Sequence, residues 1–173
     1  MPTVVGMTEI DITLAAGRQY GIDEALVIYT SKIDVKDWVF QKAVFSEFND
    51  INWSYPPTSI SPDQMRNLMR EYTKAILVIG KNGQMPLKEF RAAMLDIEQK
   101  LNLNGFPKAL SLSMGPCDIC KACTKPDPCA SPAKRRPSIE GTGIDLIGTI
   151  KKFKKNFETQ GKRFVSAGII LLE

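Results

Sequence analysis

All 4 cysteines of this chain fall in one short stretch, Gly115-Pro-Cys-Asp-Ile-Cys-Lys-Ala-Cys-Thr-Lys-Pro-Asp-Pro-Cys129. No other feature constrains the fold as much. Cys117, Cys120 and Cys123 recur at every third position and Cys129 follows a Pro-Asp-Pro turn, so the thiols can converge on one centre without help from elsewhere in the chain. From Asp118 to Pro137 regular structure is excluded, because Pro126, Pro128, Pro132 and Pro137 lack backbone donors and hold the chain in turns. A tight loop of this kind leaves N–H groups available to shield thiolates around an inorganic core. C-x2-C-x2-C followed by one further Cys is the spacing that wraps a [4Fe-4S] cubane, one thiolate to each corner iron. Structural zinc more often uses two C-x2-C pairs separated by a long insert, which leaves zinc as the alternative metal.

Disulfides are a poorer reading of the same residues. Pairing these cysteines would close only tiny loops, in a chain of 173 residues that can build its own core. No apolar signal core stands near Met1 and no apolar run reaches transmembrane length. The expectation is therefore a cytoplasmic protein with no membrane partner, in a compartment that keeps thiols reduced. With 43% hydrophobic and 24% charged residues, residues 1–173 read as one domain, the cysteine loop occupying 115–137. A net charge of +4, from 23 Lys and Arg against 19 Asp and Glu, argues against a chain-wide nucleic-acid surface. The chain has no histidine, which removes the usual general base at neutral pH, His-ligated zinc and a Rieske-type centre.

Along the chain, β-rich apolar runs alternate with helical periodicity. Ala25–Thr30, Ala75–Ile79, Lys108–Ser113 and Phe164–Leu172 read as strands. Leu87, Phe90, Met94, Ile97 and Leu101 share one helical face after Pro86, and Asn104-Gly105 stops that helix. Ser61, Pro62 and Gln64 form a capping box for a helix burying Met65, Leu68, Met69 and Tyr72 and ending near Thr73. Gly143 to Phe157 reads as a third helix, its lysines Lys151, Lys152, Lys154 and Lys155 either complementing the helix dipole or forming a docking patch. The pattern predicts an α/β domain: a mixed sheet of four or more strands flanked by helices, with the strands ending at Ser113 and Leu172 in its centre.

The stretch Gly115-Pro-Cys-x2-Cys-x2-Cys-x5-Cys129, then Ala-Ser-Pro132, then Arg136-Pro-Ser-Ile-Glu-Gly-Thr-Gly-Ile-Asp145, resembles the family of predicted metal-binding proteins, a domain of unknown function in anaerobic archaea and bacteria. The likeness extends over most of the chain, including Trp53-Ser-Tyr-Pro-Pro57 and the last strand. It implies a cytoplasmic metal centre serving anaerobic redox or one-carbon, corrinoid-type metabolism. Family members commonly carry further cysteines upstream and within a Trp-x-Cys-Pro-Pro motif. Here Tyr55 stands at that position, so a second metal site is not expected, and Trp53 and Tyr55 read as packing residues or as an aromatic lid over a ligand pocket.

A cubane with four thiolates has no open iron, which favours electron transfer or a structural role over substrate activation. Asp118, Asp127, Glu140 and Asp145 read as caps and turn formers, and no catalytic residue is assigned. The expected protein is thus a redox accessory rather than a stand-alone enzyme. Lys121, Lys125, Lys134, Arg135 and Arg136 around the loop either keep it soluble or present a cationic rim to an acidic protein redox partner. The alternative is a non-redox interaction module pinned by zinc or a cluster.

Overall fold

Strict alternation along two neighbouring strands organises the molecule. In the computed structural model, which describes residues 6–173, β2 (Lys74–Gly80) points Ala75, Leu77 and Ile79 into one core cluster and Ile76 and Val78 into another. β4 (Ala167–Leu171) divides in the same way, with Ala167, Ile169 and Leu171 on one side and Ile170 on the other. Because side chains in a strand alternate between faces, a strand covered on both faces must be apolar throughout. That is why these segments read as unbroken hydrophobic runs.

The sheet has strand order β1-β2-β4-β3, with β1 spanning Ile22–Tyr29 and β3 spanning Leu110–Ser113. The α/β fold class holds. Two details differ: all three strand pairings are antiparallel where a mixed sheet was expected, and β3 lies at an edge while β2 and β4 are central. The reason is topological. β2, the long helix α4 (Leu87–Leu103) and β3 form a crossover whose two strands run parallel, but β4 inserts between them and pairs antiparallel with each. β3 also carries Ser111 and Ser113 in alternation with Leu110 and Leu112, a pattern suited to an edge.

One face of the sheet is covered by α1 (Glu9–Gly17) and α4, with Phe90, Met94, Ile97 and Leu101 of α4 fully buried as its periodicity predicts. Burial of each such side chain is worth about 1.5–3 kcal/mol. Gly168 of β4 lets α4 approach this closely, since a Cβ there would meet Met94 Cε at 2.8 Å. The other face packs against α3 (Pro62–Met69), α5 (Leu146–Phe153) and the loop around Ile139 and Ile144.

The Ser61 and Gln64 capping box forms as expected, although α3 stops at Met69. Asp145 caps α5 by accepting from the Gly148 N–H at 2.9 Å, which starts that helix later than Gly143; Phe157 lies beyond its end yet remains buried. α1 and α2 (Asp37–Val44) were not anticipated, although Thr8 and Asp11 make a capping box for α1. Met1–Val5, which fall in the stretch expected to lack a signal core, lie outside the described residues. No helix among the described residues is long and apolar enough to cross a membrane.

Candidate metal centre

The chain leaves β3 at Ser113 and turns through Gly115, whose φ of 84° lies in the left-handed region that glycine tolerates. A side chain there would also strike the guanidinium of Arg91. Arg91 reaches across from α4, donating to the Met114 carbonyl at 2.6 Å and pairing with Asp118. The cysteine loop therefore departs from the end of an edge strand rather than a central one, anchored at its start to the long helix.

Cys117, Cys120, Cys123 and Cys129 are all free thiols, all half-buried, and all line one cavity, together with Trp53 and Arg135. The four cysteines thus share one cavity. The thiols ring the cavity rather than crowd a single point: among the described residues, no three Cys, His, Asp or Glu donors are gathered closely enough to hold one ion. Burial pushes the Cys117 thiol above its ordinary value and the neighbouring Asp118 and Cys129 add to this, against the Ile119 N–H and Arg91. A metal binding there must displace a proton, so its hold strengthens as pH rises. Four thiols without competing oxygen or imidazole donors fit an iron–sulfur cluster or zinc, and no harder cation.

A clasp formed by residues 50–54 holds this loop, and the sequence did not announce it. Ser54 Oγ accepts from the Cys117 N–H at 2.9 Å, while Asn52 Nδ2 donates to the Cys117 carbonyl at 3.0 Å. Asn52 Oδ1 in turn accepts from the Ser54 backbone at 3.0 Å and from its hydroxyl at 2.7 Å, so the two buried side chains orient each other. Trp53 donates through Nε1 to the Asp127 carbonyl at 3.1 Å, and Lys125 pairs with Asp50 at 3.0 Å. Trp53 is therefore packed against the cysteine loop, with Lys125 and Arg135 over its ring at 5.3 and 5.4 Å.

The basic residues divide into structural and exposed sets. Arg136 forks onto buried Glu98 of α4, Lys125 is enclosed by Asp50 and Trp53, and of the five only Lys121 and Lys134 are exposed. The lysines of α5 and the turn after it lie by the opposite edge of the sheet, with Lys152 paired to Asp34 at 2.7 Å and Lys154 to Glu24 of β1 at 2.7 Å. They do not extend the rim of the cysteine loop.

Tyr55 is buried, its hydroxyl donating to Glu140 Oε1, which also accepts from the Gly115 N–H at 2.9 Å. Its ring packs on Phe48 at 5.2 Å. At the place where family members are expected to carry a cysteine, this chain has a packing residue with a polar end. Asp145 serves as the helix cap expected of it, and Asp118 as an ion-pair partner.

Residues 26–172 match the family of predicted metal-binding proteins designated DUF2284. The chain belongs to this family. The match runs from the second half of β1 through β4 and takes in the clasp at residues 50–54 and the whole cysteine loop. No curated protein and no solved structure matches the chain. Metal binding is accordingly the family's predicted property, and the cavity ringed by thiols is where this fold concentrates soft donors.

Proposed function

We propose that Cys117, Cys120, Cys123 and Cys129 hold one [4Fe-4S] cluster and that the protein serves as an electron-transfer accessory to an anaerobic enzyme system. The observation that carries this reading is the shared cavity: all four thiols line it, in a loop fixed at both ends to the sheet and to α4. The cysteine spacing supports a cluster over one zinc: C-x2-C-x2-C followed by one further Cys is the cubane pattern, whereas structural zinc more often uses two C-x2-C pairs separated by a long insert.

Bound there, such a cluster would supply one-electron chemistry, and with four thiolates it would have no iron open to a substrate. The chain's own residues do the rest. The Asn52 and Ser54 side chains fix the backbone of Cys117, Trp53 screens one wall, and the half-buried cysteines keep the site within reach of the surface. Lys121 and Lys134 give that surface a positive edge suited to an acidic partner protein, in a reducing cytoplasm.

The test is the set of single replacements Cys117→Ser, Cys120→Ser, Cys123→Ser and Cys129→Ser in anaerobically prepared protein. Each should bleach or strongly weaken the visible absorption. Full iron and an unchanged spectrum in Cys129→Ser would refute ligation by all four thiols.

A further inference from the structure

One charged side chain shares the cavity with the four thiols. Besides the cysteines, the wall is made by Trp53, Ile119, Thr124, Ser131 and Arg135, so among the described residues the lining holds one cation and no acid. Other bases around this loop are engaged elsewhere: Arg91 with Asp118, Lys125 with Asp50 and Arg136 with Glu98. Arg135 pairs with no carboxylate among the described residues, and its guanidinium lies 5.4 Å over the Trp53 ring.

The chain holds this arginine in place from two sides. The Arg135 N–H donates to the Ser131 carbonyl at 3.1 Å, and the Arg135 carbonyl accepts from the Arg136 guanidinium at 2.9 Å, which is itself fixed on Glu98. Opposite, Trp53 is held through Nε1 to the Asp127 carbonyl at 3.1 Å. Backbone and ring together keep Arg135, half-buried, between the cysteine cavity and an outer groove that Trp53 and Arg135 also line.

A cluster bound by four thiolates is anionic, and one-electron reduction adds a further negative charge. A cation fixed beside it and partly shielded from water favours the reduced form over the oxidised one, because Coulomb attraction grows with the charge it meets. Lys121 and Lys134 are exposed, where solvent and salt screen them.

We propose that Arg135 sets the reduction potential of this centre, raising it by favouring the reduced cluster. The inference rests on the [4Fe-4S] reading of the cysteines and adds to it a residue that tunes the couple without ligating iron.

Spectroelectrochemical titration of anaerobically prepared protein tests it, with iron and acid-labile sulfide measured in every sample. In Arg135→Gln, and in Arg135→Met as a second neutral replacement, the equilibrium constant for reduction should fall about threefold to tenfold, a potential lower by about 30–60 mV for a one-electron couple. Arg135→Lys keeps the charge and should restore most of the loss. Lys134→Gln, adjacent in sequence but outside the cavity lining, should change the constant by less than about twofold. The sign separates charge from packing: a replacement that merely loosened the wall would admit water, which stabilises the more highly charged reduced cluster and raises the potential. A potential unchanged or raised in the neutral variants at full iron and sulfide, or one that Arg135→Lys leaves equally low, would overturn the proposal while the cluster stands. A parent protein without iron would overturn both.

Discussion

Arg136 grips Glu98 with one edge of its guanidinium: Nε donates to Oε2 at 3.0 Å and Nη2 donates to Oε1. The same carboxylate accepts from the backbone N–H and hydroxyl of Ser111 at 2.7 and 2.8 Å. One buried acid thus ties the end of the cysteine loop to α4 and to the edge strand from which the loop departs. Removing one partner of such a pair leaves an uncompensated buried charge, so Arg136→Met should cost about 3–5 kcal/mol of stability, read from denaturant unfolding. Burial alone would raise the Glu98 carboxyl, but the hydrogen bonds from Arg136 and Ser111 outweigh it and hold the group below its ordinary 4.5. A depressed carboxyl contributes stability above its unfolded pKa and loses it as pH falls through the folded one. Melting midpoints should therefore fall on acidification below about pH 4.5, and less steeply in Glu98→Gln, which starts lower.

Glu140 has the opposite sign. Its carboxyl is raised, so its contribution is complete below the unfolded pKa and is lost as pH rises through the folded value. Between acid pH and neutrality Glu140 progressively lowers stability, and Glu140→Gln should flatten that part of the profile. Tyr55→Phe removes the hydroxyl that satisfies Oε1 and should destabilise by about 1–3 kcal/mol. Thermal melts of the parent and both variants across this range check the two signs together.

Ser54→Ala leaves the Cys117 N–H without its acceptor, and Asn52→Ala removes the donor to the Cys117 carbonyl together with the orienter of Ser54. Each should cost about 1–3 kcal/mol. The more telling readout is metal retention: both variants should lose bound metal to a chelator faster than the parent at a temperature where both remain folded. Equal loss rates would make the clasp a feature of the fold alone.

What was readable from the chain was local. The Ser61 and Gln64 capping box, the buried face of α4 and the placing of four closely spaced cysteines around one cavity all depend on residues within a few turns of one another. What was not readable depends on distant pairs. Ser54 meets Cys117 across 63 positions and Tyr55 meets Glu140 across 85, and neither polar residue differs in sequence from an ordinary turn former. Strand order failed for the same reason. The β2–α4–β3 crossover was visible, but nothing near β3 indicates that β4 arrives from the chain's end to separate the two strands. At the start of α1, Thr8 and Asp11 gave a usable signal, a capping box closed by aspartate in place of the usual Glu or Gln.

If the exposed rim of the loop steers a partner, reversing Lys121 and Lys134 to Glu should slow electron exchange with an acidic redox protein at low salt. Visible absorption should not change. The parent rate should fall as ionic strength rises, because rim charges govern encounter more than final affinity. Arg136 is left out of this set because its ion pair with Glu98 is structural.

The central claim is tested most directly by metal and acid-labile sulfide analysis of anaerobically purified protein. Four thiolates on one cubane predict a brown protein with about four irons and four sulfides per chain and no stoichiometric zinc. A colourless protein with about one zinc per chain and no sulfide would contradict the cluster and make the loop a structural zinc site.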